Sequence, residues 1–351
     1  MGVSQNTKLP AAQGVILAEK ARRPSRRSDG RGPGGAQPTA AEPCTETKPF
    51  PIVWSLDRSC DVGRALLAAS RRLREAGSDT PQLDSAVLLA HVLGVSKTWL
   101  YAHPHRPLTE EEITRFEELV RRRMCHEPVA YLVGYKSFYG LDISVDRRVL
   151  IPRPETEVLV ERVLAYVRYL ISQGYTPRIA DVGTGSGAIA VALAVNAPGV
   201  IIYATDISED ALAVAAQNVW RYGLGEQVQL LPGHLIEPLP EPVDIIVANL
   251  PYVASQALAE LPPQVRDYEP MLALDGGAEG LGVLTAFFEL LRAPEGRAKL
   301  RPGARIYLEI GADQGSAARN LAQTAFPEAD VEVLVDYSGL DRVLAVSLPG
   351  G

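Results

Sequence analysis

The C-terminal half of this chain alternates between two periods. Short apolar or β-branched runs stand at 178–182, 200–205, 227–231, 243–248, 304–310, 331–335 and 342–347, with helical stretches such as "EDALAVAAQNVWRYG" (209–223) between most of them. Alternation of this kind places helices on both faces of a mostly parallel sheet. The predicted class is α/β, with a Rossmann-like sheet of seven strands. The last two runs are joined only by "DYSGLD" (336–341), too short for a crossover, so they are expected to pair antiparallel at one edge.

Three further regions precede this one. Residues 1–52 are rich in Gly, Pro, Ala and Arg and offer nothing periodic to bury, so a disordered, solvated tail is expected there. Its arginines, Arg22, Arg23, Arg26, Arg27 and Arg31, could touch RNA, but solvation is the simpler reading. Residues 53–127 show helical periodicity, with Gly77 suited to one helix stop and Thr109 to one N-cap. They are expected to form a small helical bundle that binds substrate. Residues 128–150 change to short aromatic and β-branched runs broken by Gly134 and Gly140, which predicts a β-hairpin linker. A helix is predicted to open at "RPETE", with Pro154 in its first turn, and residues 151–351 make the catalytic domain.

Bulk properties narrow the setting. A net charge of −7 argues against a chain that lives on bare nucleic acid, because phosphate binding needs a basic face. Cys44, Cys60 and Cys125 are odd in number and form no CxxC pair, so neither a disulfide framework nor a zinc site is expected. No apolar run approaches the ~18 residues of a membrane span. Position 6 is Asn where a myristoylation signal wants Ser or Thr, and no secretory signal is visible. The reading is a cytoplasmic protein without a metal, monomeric by default.

Chemistry gathers at strand ends. "DVGTGSGAIA" closes the first run, and Gly183, Gly185 and Gly187 allow a tight strand-to-helix turn that brings backbone close to a ligand; Thr184 and Ser186 lie in the same turn. Asp206 in "ATDIS" lies about twenty residues on, where a carboxylate accepts from ribose hydroxyls, with Ile207 beside it. Asp206 could instead cap the next helix, in competition with Ser208. A nicotinamide dinucleotide and S-adenosylmethionine both carry an adenosine ribose. "NLPY" decides between them. Asn249, Leu250, Pro251 and Tyr252 follow a buried run, where hydride transfer has no use for them. Methyl transfer to a planar amide or exocyclic amine does: the Asn249 side-chain oxygen and the Leu250 carbonyl can accept its two N–H bonds and orient the weakly nucleophilic nitrogen. Tyr252 could pack against the planar group, and Pro251 stiffens the turn.

With "EPVAYLVGYKSFYGLDISVD", "LIPRPETEVLVE", "YEPMLALDGGAEGL", "LEIGADQG" and "DYSGLDRVL", these motifs resemble the PrmC/HemK family of class I S-adenosylmethionine-dependent methyltransferases. The resemblance covers about residues 60–348. It implies methylation of the glutamine N5 in the Gly-Gly-Gln motif of peptide chain release factors. It further implies that Gly183–Gly187 line the cofactor's methionine part, Asp206 its ribose, and His234 and Leu235 its adenine, with Ile207 also among the cofactor-binding residues. Asn249–Tyr252 would receive the glutamine, and the helical bundle would grip the release factor. Arg153 and Glu155 are candidates to face substrate; with Glu157 they also suit simple helix-start ion pairing. Two positions depart from the family pattern. Leu250 replaces a proline while keeping the backbone acceptor, and His234 replaces an aspartate that could accept from the adenine amine.

Rival readings are an adenine-N6 nucleic-acid methyltransferase, a nicotinamide-dependent oxidoreductase, and a non-catalytic adaptor that keeps the fold. The first needs a basic groove with aromatic platforms, whereas the helical region balances its acids with an equal number of lysines and arginines and shows no basic excess. The second leaves "NLPY" without a purpose. Cofactor retention without methyl transfer would mark the third.

Overall fold

The computed structural model describes residues 54–350. The expectations for the tail and for Cys44 lie outside them.

The first four helices, α1 (Val62–Glu75), α2 (Pro81–Leu93), α3 (Lys97–Ala102) and α4 (Glu110–Met124), bury one apolar cluster that includes Leu73, Leu88, Leu89, Leu100 and Phe116. Thr109 does cap α4: it accepts from Glu112 N at 3.2 Å, and the Glu112 carboxylate accepts from Thr109 N at 2.9 Å. This reciprocal box, with acids in the first turn and arginines in the last, matches the helix dipole at both ends.

The hairpin is shorter than predicted. Val129–Val133 forms a helical turn, α5, and only β1 (Tyr135–Phe138) and β2 (Leu141–Ser144) pair. Five apolar and aromatic residues read equally well as strand or buried helix, and periodicity cannot separate them at that length. Helix α6 (Thr156–Ser172) begins just past "RPE", so Pro154 lies in the turn ahead of it rather than inside.

The sheet strands are β3 (Arg178–Val182), β4 (Ile201–Asp206), β5 (Val228–Pro232), β6 (Val243–Ala248), β7 (Leu300–Glu309), β8 (Asp330–Val335) and β9 (Asp341–Ser347). Their spatial order is β5-β4-β3-β6-β7-β9-β8. All neighbours from β5 to β7 are parallel; β9 runs antiparallel between β7 and β8. The final two runs therefore pair antiparallel as expected, with β8 the outer strand and β9 inserted. Helices α6, α7 (Ala188–Asn196) and α8 (Glu209–Arg221) cover one face. After the short α9 (Pro263–Arg266), α10 (Gly282–Arg292), α11 (Pro294–Arg297) and α12 (Gly315–Ala325) follow, and α10 and α12 cover the other.

The segment at 263–269 ties the bundle to the sheet. Arg123 donates from Nε to Asp84 at 2.8 Å and from Nη2 to Gln264 at 3.1 Å, and the Tyr268 hydroxyl donates to the Cys125 carbonyl at 2.6 Å. Glu269 receives Arg153 at 2.6 Å and the Ile151 amide at 3.2 Å. Arg123 and Asp84 are each 7% exposed, so the pair has left water. Removing one member strands the other charge, which typically costs about 3–5 kcal/mol. Arg123→Ala is expected to lower the urea unfolding midpoint accordingly, and Arg123→Ala combined with Asp84→Ala to cost less than the sum of the two single changes.

Candidate active site

Register lines up the site. Thr205, Val182, Ala248 and Leu308 are neighbours across four parallel strands. The next residue of each chain segment, Asp206, Gly183, Asn249 and Glu309, therefore sits at one carboxyl edge. The strand order reverses between β3 and β6, and such a switch point is where open α/β sheets bind ligands.

The glycine turn hangs on its neighbours. Gly183 N and Thr184 N both donate to the Thr205 carbonyl at 2.9 Å. Asp206 accepts from Gly185 N at 2.8 Å and from Ser208 N at 2.9 Å, while Ser208 caps α8 by accepting from Ala211 N. Asp206 is thus the tie between turn and helix, and Ser208 takes the cap. Burial raises the Asp206 pKa, and three backbone N–H groups pull it back. Gly187 has a different task. With φ of 77° it stands 3.2 Å, by an ideal Cβ, from the Ala215 Cβ, so it serves the approach of α7 to α8 and is not among the cavity-lining residues.

A cavity of about 580 Å³ opens at this edge. Gly183, Thr184, Gly185, Ser186, Asp206, Ile207, His234, Leu235, Asn249, Leu250 and Pro251 all line it, so the structure brings together most of the residues expected to bind cofactor and substrate. Its volume suits a nucleoside-sized ligand. Both Asp206 oxygens keep a lone pair for ribose hydroxyls, and the turn's glycines let backbone come near a ligand, so the residues present fit S-adenosylmethionine. His234 is half exposed, with Nδ1 3.9 Å from Glu237, and lies at the mouth. Leu235 holds a left-handed backbone (φ 48°) while its carbonyl accepts from Thr205 Oγ1 at 2.8 Å.

Besides Gly187, three expected residues are placed elsewhere. The Tyr252 hydroxyl donates to Glu309 at 3.2 Å, and the residue is absent from the cavity wall, so its ring is not a stacking face there. Glu155 is exposed in the turn before α6. Arg153 lines a separate groove of about 840 Å³ between the helical bundle, the hairpin and Gln264–Glu269. Along "IPRPET", Ile151 and Arg153 face this groove while Pro152 and Thr156 face the cavity.

The Asn249–Tyr252 turn is braced from outside. Gln314 Nε2 donates to the Tyr252 carbonyl at 3.1 Å, Val253 N to the Leu274 carbonyl at 3.0 Å, and Gly276 N to the Val253 carbonyl at 2.8 Å. A Cβ at Gly276 would stand 2.8 Å from the Pro251 oxygen, and one at Gly280 2.3 Å from the Tyr252 oxygen. Only glycine permits that backbone-to-backbone approach.

Several site residues had no role in the sequence reading. Asp181 is fully buried beneath the glycine turn, accepting from Thr184 Oγ1 at 2.6 Å and Ala190 N at 3.1 Å. Asn218, 0% exposed, accepts from Ser144 N and donates to the carbonyls of Ser144 and Ser186, joining hairpin to turn. An asparagine on the apolar face of α8 was its signal. Phe138 from the hairpin and Met271 and Leu272 at the rim add apolar wall. Asn249 Nδ2 donates to Thr156 Oγ1 at 3.3 Å.

Comparison with known proteins identifies the family. A family model described as the methyltransferase small domain matches residues 156–261, and one described as the PrmC N-terminal domain matches residues 64–134. Fold and site together define a Rossmann-like α/β methyltransferase. The release factor glutamine methyltransferase of Moorella thermoacetica is 44% identical over 280 residues, covering 80% of this chain and 95% of that protein. That of Cereibacter sphaeroides is 40% identical over 285 residues, covering 81% and 98%. The chain belongs to the release factor glutamine methyltransferase family. Among the described residues, no helix is long and apolar enough to cross a membrane.

Burial lifts the Asp181 pKa from 3.8 to about 7. Between those values the folded protein holds a proton that the unfolded chain has lost, so stability falls as pH rises, by up to ~1.4 kcal/mol per unit for one proton. Asp181→Asn cannot ionise. Its urea midpoint is expected to gain on the wild type steadily from about pH 4 to about pH 7 and then level off.

Proposed function

We propose that this chain transfers the methyl group of S-adenosylmethionine to the side-chain amide nitrogen of the glutamine in the Gly-Gly-Gln motif of peptide chain release factors. The observation that carries the reading is the row Asp206, Gly183, Asn249, with the Asn249 amide nitrogen engaged by Thr156 beside a nucleoside-sized cavity. Its family membership supports the same substrate.

Bound in the cavity, S-adenosylmethionine supplies a methyl group on a cationic sulfur; its transfer breaks the S–CH₃ bond, forms N–CH₃, and releases S-adenosylhomocysteine and one proton. The residues of the chain orient the acceptor. With Nδ2 held by Thr156, Asn249 Oδ1 is left to accept from the glutamine amide, and the Leu250 carbonyl takes its second N–H. Fixing both N–H bonds points the nitrogen lone pair at the methyl group and removes the orientational search. Asp206 would hold the ribose, and Gly183 to Ser186 would line the methionine part. Ile207, Leu235, Met271 and Leu272 would offer apolar surface to the adenine, with His234 at the rim. No side chain need act as a base, because the proton is acidified by methylation and can leave to water.

The groove beside Arg153 receives the release factor, and the helical bundle forms its far wall. The two cavities lie on either side of the "IPRPET" segment, so a factor bound in the groove has its glutamine side chain within reach of the cavity. The partner is a protein in the cytoplasm, with no nucleic-acid target and no second copy of this chain required.

The test is label transfer from S-adenosylmethionine to a purified release factor, beside that factor's Gln→Ala variant at Gly-Gly-Gln. Label is expected on the wild-type factor alone. Label on neither, with the cofactor still bound, overturns the reading. Asn249→Ala is expected to slow transfer by about a hundredfold or more, the usual effect of losing one preorganised hydrogen-bonding group at a reacting centre.

A further inference from the structure

Arg148 follows the hairpin and lines the cavity at the sheet edge. Among the described residues it is the only lysine or arginine that does so; Asp206 and Asp275 are the acids of the same wall. A guanidinium is an odd neighbour for S-adenosylmethionine, whose sulfur and ammonium groups are both cationic. It repels those two groups and attracts only the third charge of the cofactor, the α-carboxylate.

The local partner of Arg148 gives no other reason for its position. Asp146 accepts from Arg148 Nε at 2.9 Å and from Nη2 at 2.6 Å. The two side chains are 35% and 45% exposed, and an ion pair so open to water contributes little to stability. What the pair does is hold the planar fork in one orientation. Nη1 is left without a hydrogen-bond partner among the described residues.

The chain path carries Arg148 toward the glycine turn. Asn218 bonds to Ser144 through both ends of its amide and also donates to the Ser186 carbonyl. The hairpin therefore leaves β2 beside the turn, and Arg148 comes four residues later. Ser186, Ala188 and Ile189 line the same cavity; the last two begin α7, and a helix start favours negative charge. The turn itself has few donors to spare for a carboxylate. Gly183 N and Thr184 N donate to the Thr205 carbonyl, Gly185 N donates to Asp206, and the Thr184 hydroxyl donates to Asp181.

We propose that Arg148 is a cofactor-binding residue that takes the α-carboxylate of S-adenosylmethionine on its free Nη1 side. The inference rests on the cofactor named in the function proposed above. An acid at one end of the cavity accepts from the ribose hydroxyls, and an arginine at the other receives the carboxylate. The cofactor's polarity is then read at both ends, and the carboxylate neutralises a cation that would otherwise oppose the sulfonium. Arg148 also sets which adenosyl compounds bind well: those with a carboxylate at that end.

The experiment needs no release factor. Two probes are titrated by calorimetry into the full chain: S-adenosylhomocysteine, and its decarboxylated analogue, which keeps the ammonium and lacks the carboxylate alone. The chains are the wild type, Arg148→Met and Arg148→Lys, with urea unfolding midpoints to check that each is folded. The wild type is expected to prefer S-adenosylhomocysteine by about tenfold or more, the usual effect of a hydrogen bond to a charged group. Arg148→Met should lose about that factor for S-adenosylhomocysteine and bind the analogue as well as the wild type does, or more tightly, since a cation facing its ammonium is gone. Arg148→Lys keeps the charge without the fork and should recover part of the loss. Equal losses for both probes in Arg148→Met, or no loss for either, overturns the assignment, as does a preference for the carboxylate that survives the change. A wild-type chain that binds neither probe overturns the cofactor reading with it. One that binds S-adenosylhomocysteine with the expected preference but labels no release factor upholds the role of Arg148 while the proposed substrate falls.

Discussion

The site depends on the pairing of β3 with β6. Two parallel neighbours must release their chains at the same edge, and the register of Val182 opposite Ala248 makes them do so side by side. Both strands are buried on both faces, so a slip of one residue would exchange the side chains packed under the two helical layers and would shift Asn249 along the edge. The burial of every position of β6 therefore guards the placement of Asn249 as much as it stabilises the sheet. Once that register is set, β4 and β7 add Asp206 and Glu309 to the row by the same rule. The residues proposed to hold the cofactor and the planar amide are thus far apart in sequence but one strand spacing apart in space.

What could be read from the sequence followed from local chemistry. Seven strands, the glycine turn, Asp206 and the Asn249 turn each announce themselves within a few residues, through period, turn chemistry or an odd residue at a strand end. The parts that could not be read depend on neighbours across the fold. Gly187 belongs to a glycine-rich turn in sequence, yet its use is set by Ala215 on the next helix. Tyr252 stands beside Asn249 in the chain, but the Glu309 carboxylate takes its hydroxyl. Asp181 and Glu309 sit within runs that read as plain buried strand, and only the assembled sheet shows which carboxylates lose water. The α5 segment escaped for the opposite reason, since five apolar residues carry too little period to choose helix or strand.

Stiffness in the Asn249–Tyr252 turn comes from outside the turn, which bears on Leu250. A proline at that position would restrict φ, whereas leucine leaves it free in an isolated peptide. Here the leucine side chain is 6% exposed, packed with the core under α10, and lies against the glycine turn, with Cδ2 3.4 Å from an ideal Cβ at Gly183. Its backbone is followed by carbonyls that Gln314 and Gly276 hold by hydrogen bonds, and by glycines whose missing Cβ atoms let a second loop press directly on the turn. Conformational freedom lost through packing and hydrogen bonds does the work of freedom never present in a ring. Leu250 thus exchanges local rigidity for burial that also bears on Gly183, so the acceptor turn and the cofactor turn are held against each other by one side chain.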